Sequence, residues 1–349
     1  MFVEIEMLPI CKYYIAKPPQ FTMSRRKACL IFNPVAGNTD SNQELERIKE
    51  LLSAQFELDV QFTTEEIGAD KLAQEAVKKD EFEIIIAAGG DGTLSEAAKA
   101  LGETTTPLGV IPRGTANAFA AALGIPDTLD EACETILSGK TRRIDIGRCN
   151  GRLMTLLAGI GFEAETIENA SREAKQRWGA LAYLLSGIQQ LRELELFDAE
   201  IETDDKIIKV SAGALTVANA APPTSILAQG PAGILYDDGL LDITIISSNT
   251  WASAIAASYH LLQTGLRGDA AKRDDIGYIR TKQVKITTDP PQKIVLDGEM
   301  IGHTPLEVEC VPGGLTVMVP MLPAEKISEK LEGLPDLEIE EKSATVNNE

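Results

Sequence analysis

Ile84-Ile85-Ile86-Ala87-Ala88-Gly89-Gly90-Asp91-Gly92-Thr93-Leu94-Ser95-Glu96-Ala97-Ala98 changes its pattern midway. The first half is a short apolar run with β-branched residues, the pattern of a strand buried on both faces. From Thr93 onward the residues favour a helix. Three glycines and one carboxylate lie between. Glycines at a strand-to-helix turn let backbone N–H groups approach a phosphate, and the helix N-terminus adds partial positive charge. A bare carboxylate repels phosphate, so Asp91 fits such a cradle only if it meets a metal ion or polarises a hydroxyl or water. The plainer alternative is a tight turn in which Asp91 caps the helix.

The chain has 349 residues, enough for two domains with separate cores. Hydrophobic residues make up 44% and charged residues 25%, a soluble globular balance. The formal charge of −20 and the 5% aromatic content argue against a nucleic-acid partner, which needs clustered Lys and Arg or stacking rings. They argue equally against broad adhesion to anionic membranes. The five cysteines are scattered without metal-ligand spacing, as expected of reduced thiols in a cytoplasmic protein. Residues 1–23 lack the basic flank of a signal peptide and read as a leader or disordered extension. Residues 323–349 carry eight acidic residues from Glu325 to Glu349 and read as a solvated, partly disordered tail.

Around the central run, Lys27–Asn33 reads as a first strand followed by the turn Pro34-Val35-Ala36-Gly37-Asn38. Gln43–Gln55 then reads as a helix, Leu58–Thr63 as a strand ending in Thr63-Thr64-Glu65, and Ala69–Lys79 as a helix. Pro107–Ile111 is a fourth strand, leading through Pro112-Arg113-Gly114-Thr115-Ala116-Asn117 into another helix, and Leu129–Leu137 supplies one more. Strands alternating with helices predict a doubly wound parallel sheet over 24–140, with its ligand at the carboxyl ends of the strands. Over 141–322 the pattern changes to many short strands, predicting a mainly antiparallel β-sandwich whose last strand returns to the first domain. In that half Lys206–Val217 reads as one strand, and Leu306–Cys310 and Gly314–Val319 as two. Two helices interrupt it. Trp251–Thr264 is one, and Ala174–Glu195 is the other, whose Trp178, Leu181, Leu185, Ile188 and Leu191 form a stripe facing either the core or a membrane interface.

Taken together, Asn33-Pro34-Val35-Ala36-Gly37, Gly89–Thr93, Pro112–Ala120, Asp237-Asp238-Gly239-Leu240-Leu241-Asp242 and Leu296-Asp297-Gly298-Glu299 resemble the bacterial lipid kinases of the diacylglycerol kinase catalytic-domain superfamily, including the YegS-like lipid kinases. The resemblance runs from about Lys27 to Met321. It implies a kinase that uses ATP and Mg²⁺ and phosphorylates the hydroxyl of diacylglycerol or a similar lipid alcohol at the membrane surface. It also implies a cytoplasmic protein in peripheral contact with the membrane, with a homodimer left open. Carried over by motif, Glu299 is the general base and Asp91 orients the acceptor or the metal–phosphate group. Asn33, Pro34, Gly37, Thr64, Gly89, Gly90, Asp91, Gly92, Thr93, Gly114, Thr115 and Asn117 hold the nucleotide. A structural Mg²⁺ is implied at Asp238, helped by carbonyls near Leu235 and Leu240; oxygen ligands from a loop suit that ion. From the residues alone, Asp237-Asp238-Gly239 reads as a turn with solvated acids and Asp297-Gly298-Glu299 as a hairpin turn.

One position departs from the family pattern: Ala118 stands where an aspartate is common, which removes any acid role there. His260 and His303, the two histidines, read as structural or solvated. A Ser-His-Asp hydrolase has no nucleophile-elbow motif to support it. Two alternatives remain open. An NAD kinase shares Gly-Gly-Asp-Gly-Thr, but its Asn-Glu pair has only the reversed Glu168-Asn169 here. A non-catalytic nucleotide- or lipid-binding protein of the same fold would sooner have lost Asp91 or Glu299.

Overall fold

The computed structural model describes residues 25–37, 40–161, 196–222, 225–231, 233–248, 250–320 and 329–342. The leader 1–23 and the helix expected over 174–195 lie outside the described residues. Strands β1 (Arg26–Phe32), β2 (Phe56–Phe62), β3 (Ile84–Gly89) and β4 (Leu108–Pro112) pair in parallel in the order β4-β3-β1-β2. Helices α1 (Ser41–Leu52) and α5 (Leu129–Leu137) cover one face; α2 (Ala69–Lys79), α3 (Asp91–Leu101) and α4 (Ala118–Ala122) cover the other. The period of two along β3 divides its apolar run. Ile84, Ile86 and Ala88 pack with Leu45, Ile48 and Leu52 of α1, while Ile85 and Ala87 pack with Leu94 and Ala97 of α3. Burial on both faces is why the run has no polar alternation.

β5 (Thr141–Cys149) and β6 (Arg152–Met154) form a hairpin, and β7 (Leu157–Gly161) follows. Then come β8 (Phe197–Thr203), β9 (Lys206–Ala212), β10 (Ala214–Ala218), β11 (Leu241–Ile246), α6 (Trp251–Arg267), β12 (Ile276–Thr281), β13 (Gln283–Asp289), β14 (Lys293–Leu296), β15 (Glu299–His303), β16 (Leu306–Met318) and β17 (Glu338–Glu341). One antiparallel sheet has the order β12-β11-β10-β7-β14-β15. The facing strands β17-β9-β8-β13-β16 continue without a break into the parallel sheet, because Val317 of β16 pairs with Leu108 of β4. The two sheets bury Ile160, Val217 and Ile243 from one side against Ile201, Ile286 and Val308 from the other.

The architecture is therefore a parallel α/β domain joined to an antiparallel sandwich through one long strand. Several expectations are corrected in detail. Lys206–Val217 is two strands in different sheets, changing over at Gly213, whose N–H bonds Ile246 O (2.8 Å). Leu306–Met318 is one strand with a register shift between Val311 and Leu315, where Pro312 supplies no N–H and Gly313 takes a φ of 58°. Among the described residues, no helix is long and apolar enough to cross a membrane.

The acidic tail is also corrected in part. Lys330 exchanges backbone hydrogen bonds with Tyr278 on edge strand β12 (2.6 and 2.8 Å), Leu334 is buried against Gly277, and β17 pairs with edge strand β9. Leu331, Leu334 and Leu337 recur every third residue among the acids and pack on the sandwich core. Charge counting missed them. Residues 329–342 thus cover one edge of each sheet, sites that would otherwise invite strand pairing between molecules. Leu334→Ala should lower unfolding stability by about 2–3 kcal/mol in urea titration. Deleting residues 329–349 should lower stability further and produce self-association in sedimentation analysis.

Candidate active site

The carboxyl ends of β1, β3 and β4 bring the glycine loops together. Asn33 Nδ2 donates to Thr93 Oγ1 (2.8 Å), and its N–H bonds Ala88 O (2.9 Å). The two glycine turns touch: a Cβ on Gly114 would lie 2.8 Å from Gly90 Cα, so a side chain there would push the loops apart. A Cβ on Gly89 would strike Thr93, whereas one on Gly92 would meet nothing within 4 Å. Gly92 and Thr115 are exposed on this rim, as is Pro34, and Gly37 (φ 89°) turns the β1 loop against Arg113 O. Thr64 closes the turn after β2, its hydroxyl accepting the Ile67 N–H (3.1 Å). Thr63 N–H, its neighbour, bonds Phe32 O beside Asn33 (3.1 Å).

Asp91 is the first residue of α3, whose N-cap is Gly90 without a side-chain bond. Its carboxylate instead accepts Phe119 N–H (3.3 Å) and faces the N-terminal amides of α4. Asp91 therefore caps the neighbouring helix, a geometry neither reading of the sequence contained. Burial pushes its pKa above the ordinary carboxylate value, with the amides of Phe119, Ala118 and Asn117 opposing. Asn117, at a φ of 48°, spends its side-chain oxygen and nitrogen on the backbone of Gly114 (2.8 and 3.0 Å). It shapes the loop from within.

The sequence did not single out Arg113 as a site residue, yet it fastens the loops. Its guanidinium bonds Glu44 and Asn33 O (2.6 Å), stacks 4.0 Å from the centre of the Phe32 ring, and is almost fully buried. Its backbone N–H bonds Gly89 O (2.8 Å). Each partner is far away in the chain, so spacing gave no signal.

The second domain contributes the β14–β15 hairpin. Asp297 (φ 48°) and Gly298 (φ 88°) form its two-residue turn, with Leu296 paired to Glu299. The hairpin reading is correct, and Asp297 does more than turn. Its buried carboxylate accepts the N–H groups of Thr155 (3.0 Å), Leu156 (2.9 Å) and Leu157 (3.1 Å), the Thr155 hydroxyl (3.1 Å) and Lys99 Nζ (3.0 Å). Lys99 lies on α3, and Ser95 of the same helix also meets the Thr155 hydroxyl (3.2 Å). Ser95 is one turn from Asp91, about 6 Å along the axis. The hairpin bearing Glu299 is thereby tied to the helix that begins at Asp91. Glu299 is exposed at the start of β15.

Asp238, Leu235 and Leu240 lie elsewhere, on a loop before β11. The Oδ2 of Asp238 is bonded by Arg280, and its Oδ1 accepts Leu240 N–H (3.1 Å). Arg280 Nε also bonds Asp242 Oδ1 (2.9 Å), while Asp242 Oδ2 is buried without a hydrogen-bond partner among the described residues. Burial raises the Asp242 pKa to about 7, against the pull of Arg280. Among the described residues no group of three or more His, Cys, Asp or Glu is placed to hold a metal ion. The loop residues as arranged do not fit the implied Mg²⁺, since both oxygens of Asp238 are engaged.

Comparisons with known proteins agree with this layout. A family described as "Diacylglycerol kinase catalytic domain" matches residues 27–149, and "YegS C-terminal NAD kinase beta sandwich-like domain" matches residues 157–319. The chain is 47% identical over 304 residues to "Uncharacterized protein sll0036" of Synechocystis sp., covering 84% of this chain and 70% of that protein. It is 32% identical over 310 residues to the diacylglycerol kinase of Bacillus subtilis, covering 87% of this chain and 100% of that one. The crystal structure of a diacylglycerol kinase from Bacillus anthracis superposes with a TM-score of 0.67 at 26% identity, covering 84% of this chain and 97% of the other. Full-length coverage of the Bacillus subtilis protein, and matches across both domains, place this chain in the diacylglycerol kinase family.

Proposed function

We propose that this protein is an ATP-dependent lipid kinase that transfers the γ-phosphoryl group to the hydroxyl of diacylglycerol or a related lipid alcohol. The observation that carries this reading is the Asp297 anchor. It ties the hairpin of Glu299 to α3, which begins in the glycine loop at Asp91. The amides around Gly90–Thr93 receive the phosphates. Open space at Gly92 supports this, because nothing in the fold itself requires a glycine there. Glu299 takes the proton as the lipid oxygen attacks the γ-phosphorus, and the bond to the leaving ADP oxygen breaks. Mg²⁺ arriving with the nucleotide supplies charge neutralisation on the phosphates. Asp91 holds α4 and its loop at the edge of the same site.

Four results are expected. With ATP and Mg²⁺, labelled phosphate should enter a lipid on a panel of diacylglycerol, phosphatidylglycerol, sphingosine, ceramide and NAD. Asp91→Ala and Glu299→Ala should each lower the rate by roughly 100-fold or more. Label in NAD would move the assignment to an NAD kinase, and absence of transfer with ATP still bound would favour a binding protein. Gly92→Ala should raise fold stability by about 0.5–1 kcal/mol through helix propensity, yet raise KM for ATP. Asp297→Ala leaves three amides and Lys99 without their acceptor. It should cost roughly 3–5 kcal/mol in denaturant unfolding and lower kcat more than a stability-matched core variant does.

A further inference from the structure

We propose that Arg280 is the resident cation of the Leu235–Leu240 loop, standing in this chain where the family resemblance implies Mg²⁺. The inference is independent of the phosphoryl-transfer reading. Around the loop are the carboxylates of Asp145, Asp237, Asp238, Asp242 and Glu329, and each has a partner from the protein. Asp145 accepts Gly239 N–H (2.6 Å) and Gly313 N–H (2.7 Å). Asp237 pairs with Arg142, and Glu329 accepts the backbone N–H of Arg280 (2.9 Å). The Arg280 guanidinium, with its side chain only 6% exposed, lies between Asp238 and Asp242 and bonds both. These two acids sit four residues apart in Asp238-Gly239-Leu240-Leu241-Asp242, so one planar fork joins the loop to the start of β11.

Mg²⁺ needs a near-octahedral oxygen shell at about 2.0–2.1 Å and gives up its waters reluctantly. To reach Asp238 it must take over an oxygen already bonded by Arg280, setting a dication beside a buried guanidinium. Asp238 Oδ1 is turned back onto Leu240 N–H and the Asp145 oxygens are spent on backbone amides; the buried Asp242 Oδ2 has no hydrogen-bond partner among the described residues, but its carboxylate is already paired with Arg280 through Oδ1. An arginine in this position gives the loop a cation that no chelator removes. Its hold extends inward, because Tyr236 O on the same loop accepts Asp145 N–H (2.6 Å). The carbonyl of Asp145 in turn accepts Asn219 Nδ2 (2.8 Å), which also reaches Thr155 O (3.3 Å) beside Asp297.

The test uses the full-length protein without nucleotide, stripped of metal and melted in EDTA or in millimolar MgCl₂. The wild type should melt at the same temperature in both. Arg280→Met should melt lower in EDTA and gain stability on adding Mg²⁺, as the freed carboxylates accept the ion, and Asp238→Asn in that background should abolish the gain. Arg280→Lys should retain part of the wild-type stability. A Mg²⁺-dependent rise in the wild type that disappears in Asp238→Asn would overturn the proposal, as would an Arg280→Met variant as stable as the wild type. Should Arg280→Met fail to fold, calorimetric titration of Mg²⁺ into wild type and Asp238→Asn decides the matter. Equal titrations support Arg280 as the cation; an ion bound by the wild type and lost in the variant refutes it.

Discussion

Asp297 is a carboxylate with 2% of its side chain exposed, and five donors converge on it. Leaving such a group unpaired in the interior would cost several kcal/mol, so those donors must be in place for the molecule to be folded. They come from both parts of the chain: three consecutive amides entering β7, and a lysine on α3. The same residue adopts the left-handed backbone that a two-residue hairpin requires, with Gly298 beside it. Anchor and turn coincide two positions before Glu299. A hairpin tip in solvent would be among the more mobile parts of a sandwich. Here its base is fixed to the helix of the glycine loop, and positional precision of that kind is what the proton-accepting role proposed for Glu299 needs.

Arg113 does at the glycine loops what Asp297 does between the domains. Its positive charge is spent on Glu44, on Asn33 O and on the face of Phe32, so it is no free partner for a phosphate. Attraction for an anion at this end must then come from backbone amides, the α3 N-terminus and whatever cation accompanies the nucleotide. The buried guanidinium keeps the two glycine turns in contact before any ligand arrives. Preorganised amides of this kind need no rearrangement when charge develops on the transferring group.

Much of this was legible in the sequence, for identifiable reasons. β3 announces itself because burial on both faces forces a continuous apolar run, and α1, α2 and α5 show apolar residues at helical spacing. The glycine loops are visible because only glycine allows backbone approaches such as Gly90 to Gly114. What escaped is what depends on distant partners. Lys99 and Asp297 are nearly 200 positions apart, and Arg113 and Glu44 almost 70, so neither pair leaves a local pattern. Charge dominated the reading of residues 323–349 and hid the spaced leucines. Asp91 was ambiguous because a carboxylate after Gly-Gly looks the same whether it caps its own helix, caps a neighbour or meets a metal.

The continuous sheet limits how this molecule can admit a substrate. β16 is hydrogen-bonded to β5 along both halves, joins β13 near its start and meets β4 at Val317 near its end. Glu103 N–H bonds Gly314 O across the same junction (2.6 Å). Opening the domains like a jaw would break this ladder and the Asp297 cluster together, a cost far beyond that of a hinge at a single loop. If the acceptor is the long-chain lipid alcohol proposed above, it would enter from the rim, where Glu299 is exposed beside Met300, itself 43% exposed. A chain carrying a charge of −20 gains nothing from bringing that rim to an anionic surface by electrostatics alone. Under the lipid-kinase reading proposed above, apolar contact at the rim, together with the anchored hairpin of Glu299, is the physically consistent way to meet a hydroxyl embedded among lipids.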